Sequence, residues 1–301
     1  MSTIHVLGSL NMDLVCHSPR LPQPGETLLG GAFETVPGGK GGNQAVAAAR
    51  LGARTTMIGR VGDDSFGHSI LASLAKAGVD TQGVTVTPEQ ATGVATILVE
   101  DGGQNQIVVV PGANGQGGAA ELETLANGLH PGDWLLLQLE VPLTTVVAAA
   151  TLAYQRGAQV ILDPAPARAD LPACLYPCLQ VITPNQLEAS QLTGITVEDR
   201  ATALLAAETL RQRGVKIAIV KLGADGVVVA TQTGHFHQPA LPVTAIDTVA
   251  AGDAFNGGLA VALAEGMTLK TAVGFATAVA AYAVTQVGAQ AAMPTRAQLG
   301  N

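Results

Sequence analysis

Apolar residues follow two rhythms along this chain. Short runs rich in Val, Ile and Leu, at Thr3–Leu7, Thr55–Ile58, Trp134–Leu139, Gln159–Leu162, Leu179–Ile182 and Ile217–Lys221, read as β-strands. Between them, apolar positions recur at helical spacing over Gln44–Leu51, Gly67–Ala77, Leu143–Gln155, Arg200–Arg213, Asp253–Ala264 and Leu269–Val284, with a further helix from about Glu188. Asp63 and Asp64 stand near the start of the second of these helices and Gly78 closes it. Gly226–Thr231 and His235–Pro239 read as an antiparallel pair. Strands alternating with helices predict an α/β fold, a mostly parallel sheet with helices on both faces. In such sheets ligands bind beyond the carboxyl ends of the strands.

Two segments break the alternation. Thr27–Val36 reads as extended, and Ala95–Val110 holds two β-branched runs joined by Asp101-Gly102-Gly103, a hairpin signal. Both faces of the hairpin carry apolar residues, which predicts that both are covered. We read these segments as a small β lid that shields a substrate or pairs with a second subunit, with an antiparallel extension of the main sheet as the alternative. The expected organisation is one domain over residues 1–301, with lid strands inserted at about 11–40 and 95–112.

Composition narrows the function. Of 301 residues only 13% are charged, about half the usual roughly 25%, and 48% are hydrophobic. Disorder is excluded, and with 3% aromatics the core must be built from Ala, Val, Leu and Ile. A net charge of -8 without any basic run argues against a nucleic-acid partner. The start MSTIHVLGSLNMD lacks the basic and apolar regions of a secretory signal, so a cytoplasmic location is expected. Thr271–Thr295 is uncharged, but its apolar part, Ala272–Val284, falls short of the about 20 residues of a membrane span, so a buried helix and no membrane contact are expected. Cys16, Cys174 and Cys178 read as isolated thiols.

The strongest chemical signal is Asp247-Thr248-Val249-Ala250-Ala251-Gly252-Asp253-Ala254-Phe255. Small residues lead straight into a helix, so the N–H groups from Ala250 to Asp253 can converge on one anion without a P-loop lysine. Asp253 would repel a bound phosphate unless it accepts the proton of a hydroxyl that attacks it; a plain helix N-cap is the alternative. A second glycine-rich stretch, Gly38-Gly39-Lys40-Gly41-Gly42-Asn43, fails the Walker pattern; it reads as a turn that approaches a polar ligand, with Lys40 and Asn43 donating to hydroxyls, or as a flexible linker. Asn185 and Glu188 follow a strand and share a helix face, as a ligand set for hydrated Mg²⁺ or as ordinary capping. Glu140, with Gln138 beside it, ends a very apolar strand. Gly115-Gln116-Gly117-Gly118-Ala119-Ala120 matches a dinucleotide pattern, but Pro111-Gly112-Ala113-Asn114 separates it from the preceding strand, which argues against a dehydrogenase.

In order, Asn11-x-Asp13, Gly38-Gly39-Lys40-Gly41-x-Asn43, Thr183-Pro184-Asn185-x-x-Glu188 and Asp247-Thr248-x-Ala250-Ala251-Gly252-Asp253 resemble the ribokinase family of carbohydrate kinases, the phosphofructokinase-B type, over nearly the whole chain. The Gln138-Leu139-Glu140 strand end and the Asp163-Pro164-Ala165-Pro166-Ala167 loop add to the likeness. The resemblance implies ATP-dependent phosphorylation of the 5-hydroxyl of D-ribose. It implies that Asn11, Asp13, Gly39, Lys40, Asn43 and Glu140 hold the sugar, that Asp253 is the general base, and that the amides of Ala250, Ala251, Gly252 and Asp253 form the anion hole. Asn185, Lys221, Gly223, Gly226, Gly252 and Thr277 would border the nucleotide, and Glu188 the magnesium shell. A monovalent cation, K⁺, is implied at Asp247 and Val249 with main-chain groups of Ala283, Gln286, Gly288 and Ala292. A homodimer through the β lid is implied as well.

The chain departs from the family pattern in three places. Val249 replaces a frequent Thr, Lys221 stands where Thr is common and could reach an ATP phosphate, and the chain ends seven residues after Pro294. The alternatives are a sibling kinase acting on fructose, 2-deoxyribose, 2-keto-3-deoxygluconate or adenosine, and a non-catalytic regulator that binds sugar or nucleotide.

Overall fold

A computed structural model describes residues 2–102 and 104–300. Gly103, the third residue of the expected hairpin turn, lies outside the described residues. The strands in chain order are β1 (Ile4–Leu7), β2 (Asn11–Ser18), β3 (Phe33–Gly38), β4 (Thr55–Gly62), β5 (Asp80–Thr87), β6 (Gly93–Glu100), β7 (Asn105–Val110), β8 (Trp134–Leu137), β9 (Gln159–Leu162), β10 (Val181–Ile182), β11 (Ile217–Lys221), β12 (Val227–Thr231) and β13 (Gly234–Gln238). The helices are α1 (Lys40–Arg50), α2 (Ser65–Lys76), α3 (Ala119–Gly128), α4 (Leu143–Gln155), α5 (Gln186–Thr193), α6 (Arg200–Gln212), α7 (Ala251–Ala264) and α8 (Leu269–Ala283).

Nine strands form the main sheet in the order β13-β12-β11-β10-β9-β8-β1-β4-β5, parallel from β5 to β11 and antiparallel only at β12 and β13. The pleat sends alternate residues to opposite faces. Leu136, Ile161, Val181 and Ile219 join one core with α1, α2, α7 and α8. Leu135, Leu137, Val160, Leu162, Ile182, Ala218 and Val220 join another beneath α3, α4, α5 and α6. Because both faces are buried, the strand sequences are apolar at nearly every position. The small-residue composition has a direct use at Gly257 of α7, where an added Cβ would lie 2.5 Å from the Ala47 Cβ of α1. That close approach brings the N-terminal turns of α1 and α7 together.

Four strands form a second sheet, β3-β2-β6-β7, as the expected lid strands do. Its details correct the sequence reading. Residues 27–32 are not a strand, and Leu29 is 87% exposed; the strand starts at Phe33. Its partner is β2, whose eight residues pair with β6 in parallel as well. β7 is exposed throughout, so only β6 of the hairpin is covered within one chain. β5 and α3 fall outside the expected elements, and α1 begins four residues before the expected start at Gln44. Gly38–Asn43 is therefore not a turn: Gly39, at φ 84°, caps α1, and Lys40 to Asn43 form its first turn. The Gly115–Ala120 pattern falls on a 3-10 turn and the start of α3, not on a strand-to-helix turn. Among the described residues, no helix is long and apolar enough to cross a membrane.

Candidate active site

The N-terminus of α7 faces the carboxyl ends of the central strands, and the residues around it come from six separate parts of the chain. Ala250 caps α7 in the left-handed conformation at φ 59°, so Asp253 is not the N-cap but the third residue of the first turn. The N–H of Ala251 lies 3.3 Å from the Thr248 carbonyl. Among the described residues, the N–H groups of Ala250, Gly252 and Asp253 have no protein acceptor, so these three, and not Ala251, are the free donors. The Lys221 ammonium sits beside them, 3.2 Å from where a Cβ on Gly252 would be. The helix dipole and this ammonium make the spot attractive to an anion.

Asp253 is buried and held from α1. Asn43 Nδ2 donates to Asp253 Oδ2 at 2.9 Å, and Gln44 Nε2 donates to Asp253 Oδ1 at 3.0 Å. Gln44 Nε2 also donates to Asp163 Oδ2 at 3.1 Å, while its Oε1 accepts from Gln138 Nε2 at 2.7 Å. Asp163 Oδ1 in turn accepts from Lys221 Nζ at 3.0 Å. One buried chain of hydrogen bonds thus runs from Asp253 through Gln44 and Asp163 to Lys221. Burial pushes the Asp253 carboxyl up to about 6, with Asp163 adding to the rise and Lys40, Asn43 and Gln44 opposing it.

On the lid side, Glu140 Oε2 accepts from Ser9 Oγ at 2.6 Å, Asn11 Nδ2 at 3.4 Å and the Lys40 backbone N–H at 3.4 Å. Asp13, two residues along β2, packs against Gly38, where any Cβ would collide with its carboxylate. Burial raises the Asp13 carboxyl to about 7, with further rises from Glu140 and Asp253 and opposition from Lys40. Burial alone would lower the Lys40 pKa, but Asp253, Glu140, Asp163 and Glu188 together hold its ammonium above the ordinary value. Hydrogen-bond donors and acceptors from β2 and from the N-terminal turns of α1 and α7 thus gather at one place.

On the opposite side of Lys221, Asn185 caps α5, and Glu188 returns the capping: its Oε2 accepts from the Asn185 N–H and its Oε1 from Asn185 Nδ2, both at 2.8 Å. Asn185 bridges to Lys221, so this pair adjoins the anion spot. Burial and the nearby Asp163 raise the Glu188 carboxyl, and Lys221 opposes this. Gly223 and Gly226 flank a tight turn after β11, both at positive φ. Thr277 is buried on α8, where its hydroxyl donates to the Val273 carbonyl at 2.8 Å. Asp247 joins two of the segments expected around a monovalent cation, accepting from the Val249 N–H and the Gly288 N–H at 2.9 Å each. The Ala283 carbonyl accepts from the Gln286 N–H, and the Ala292 N–H donates to the Ala289 carbonyl.

Ser9, Gln44, Asp163 and Asn114, which join the expected site residues through hydrogen bonds, are not among the residues expected from the sequence. Gln44 had a usable signal, since with Asn43 it forms a polar pair directly before the apolar run Ala45–Ala49 of α1.

A mostly parallel sheet with helices on both faces, a second small sheet, and a buried carboxylate in the first turn of a helix beside a lysine match the architecture of small-molecule kinases. The chain belongs to the pfkB family of carbohydrate kinases, whose model matches residues 1–296. It is 41% identical over 294 residues to a ribokinase of Haemophilus influenzae, covering 98% of this chain and 96% of that one. It is 40% identical over 296 residues to a ribokinase of Bacillus subtilis, with 98% and 97% covered. The structure of Arabidopsis thaliana ribokinase complexed with ribose and ATP superposes with a TM-score of 0.91 at 33% identity, covering 99% of this chain and 98% of that one.

Proposed function

We propose that this carbohydrate kinase transfers the γ-phosphoryl group of ATP to the 5-hydroxyl of D-ribose. The observation that carries the reading is the grip of Asn43 and Gln44 on Asp253 at the N-terminus of α7, opposite the Asn11–Glu140 pair. Asp253 accepts the proton of the attacking hydroxyl, and the amides of Ala250, Gly252 and Asp253 with Lys221 stabilise the charge on the transferring group. Asn11, Asp13, Gly39, Lys40, Asn43 and Glu140 bind and orient the sugar; Asn185, Gly223 and Gly226 border the nucleotide. Five carboxylates, Asp13, Glu140, Asp163, Glu188 and Asp253, share the cleft with two ammonium groups, Lys40 and Lys221. This excess of negative charge fits a nucleotide that enters with Mg²⁺, held at Glu188 through water; when bound, the metal neutralises phosphate charge. Asp247 and the carbonyls around Val249, Ala283, Gln286, Gly288 and Ala292 would hold K⁺.

The whole chain works, in this reading, as one domain in the cytoplasm, where ATP is supplied, and the small sheet is a lid over the sugar. Its edge strand β7 exposes Ile107, Val108, Val109 and Val110, and Phe33 is exposed on β3; a second copy of the chain covers this surface. A coupled assay of ADP release with D-ribose, D-fructose, 2-deoxyribose, 2-keto-3-deoxygluconate and adenosine tests the substrate. The highest kcat/KM is expected for D-ribose, and a clear preference for another acceptor overturns the assignment.

A further inference from the structure

The turn that follows β7 carries a buried residue with no place in the proposed chemistry. Asn114 is 1% exposed and reaches back over about a hundred residues to the crossover between β1 and β2. Its Oδ1 accepts from the Leu10 N–H at 2.9 Å, and its Nδ2 donates to the Leu10 carbonyl at 3.0 Å and to Asn11 Oδ1 at 2.8 Å. A carboxamide has two orientations of nearly the same shape, and its partners decide between them. Here the backbone of Leu10 offers one donor and one acceptor, and only one orientation of Asn114 meets both. The other leaves a buried N–H and a buried C=O without partners.

Once Asn114 is fixed, Asn11 is fixed too. Its Oδ1 faces the Asn114 donor, so its Nδ2 must point toward Glu140 Oε2, 3.4 Å away. The flipped Asn11 would set its carbonyl oxygen against the Glu140 carboxylate and its NH₂ against the Asn114 NH₂. The contact also locks the lid arms to one another: a Cβ on Gly93, at the start of β6, would lie 2.3 Å from Asn114 Nδ2 and 2.4 Å from Asn11 Oδ1. The starts of β2 and β6 and the turn after β7 meet at this one carboxamide pair. We propose that Asn114 is a positioning residue for acceptor recognition, acting through Asn11 to present an N–H donor, rather than a carbonyl, to a substrate hydroxyl. The inference rests on the sugar-kinase reading.

A double-mutant cycle tests it, using the full chain, with sugar varied at saturating ATP and ATP varied at saturating sugar. Asn114→Ala is expected to raise the KM for the preferred sugar at least tenfold, while kcat and the KM for ATP change less than about twofold. In an Asn11→Ala background the same substitution is expected to change the sugar KM by less than about twofold, because the residue it acts through is gone. Equal effects in both backgrounds, a parallel rise in the KM for ATP, or no change in sugar KM would overturn the proposal. If Asn114→Ala does not fold, Asn114→Asp, which keeps the shape of the side chain and an acceptor for the Leu10 N–H but when ionised offers Asn11 Oδ1 no donor, is run through the same cycle with the same criteria. A parent enzyme that phosphorylates no sugar overturns the kinase reading and this inference with it. A parent that turns over sugar with additive effects in the cycle overturns the inference alone.

Discussion

Gln44 Nε2 lies 3.0 Å from Asp253 Oδ1, and the same nitrogen lies 3.1 Å from Asp163 Oδ2, so one carboxamide offers its two hydrogens to two buried carboxylates. Gln138 fixes which way round it sits by donating to its Oε1. Gln44 therefore favours the ionised form of Asp253, the form a general base needs. The groups facing that carboxylate are Lys40 and Asn43 on α1, Asp163 after β9, Asp13 on β2, and Gln44 itself. As the Asp253 carboxyl sits at about 6, activity should rise with pH through that region. Gln44→Leu should shift this acid limb of kcat/KM to higher pH by about half a unit or more. A pH profile with an unmoved acid limb contradicts this role.

Asp13 has no hydrogen-bond donor of its own among the described residues, and two further carboxylates face it. Its folded pKa, about 7 against 3.8 in the unfolded chain, lies above the unfolded value. The folded state thus holds the proton more tightly, and the stabilisation present below the unfolded value is lost as pH rises through about 7. Asp13→Asn should therefore stabilise the free enzyme at pH 8 by about 2 kcal/mol while weakening sugar binding. The gain should fade toward pH 4, and thermal melts at the two pH values check it.

Ala250 holds φ 59° at the head of α7, where a side chain other than hydrogen is strained by about 1–2 kcal/mol. Ala250→Gly relieves that strain against a smaller entropic loss, so it should keep the melting temperature or raise it. Ala250→Val should lower the melting temperature, because a branched side chain fits this conformation worse, and should reduce kcat by displacing the free amides. Equal melting temperatures and rates for the two variants would contradict the strain at this cap.

Glu188 both caps α5 and, in the proposed function, steadies the magnesium shell. Glu188→Gln keeps an acceptor for the Asn185 N–H but removes the charge, whereas Glu188→Ala removes both. Both variants should raise the Mg²⁺ concentration for half-maximal turnover severalfold, and Glu188→Ala alone should lose about 1 kcal/mol of stability. A Glu188→Gln enzyme with the parent's Mg²⁺ titration would restrict Glu188 to capping.

The main sheet was legible in the sequence because both its faces are buried, which leaves apolar runs such as Leu135–Leu137. The small sheet was harder to read. β2 begins Asn-Met-Asp, and Leu28 and Leu29 imitate a strand where there is none. β5 was missed because its half-exposed, polar sequence DTQGVTVT gives no apolar run. Asp253, Asn43, Glu140 and Glu188 were visible as motif residues. What joins them was not, since Asn43 meets Asp253 across 210 positions and Gln44 meets Asp163 across 119. Hydrogen bonds of that span leave no local periodicity, and polar residues buried to make them look like breaks in the apolar pattern.

The central claim is that Asp253 takes the proton from a sugar hydroxyl during phosphoryl transfer. The direct measurement is kcat of Asp253→Ala with D-ribose and ATP, paired with calorimetric titration of ATP into the same protein. The account predicts a fall in kcat of about 10²–10⁴-fold with ATP affinity within about threefold of the parent. A variant that binds ATP normally and turns over ribose within about tenfold of the parent rate would contradict it.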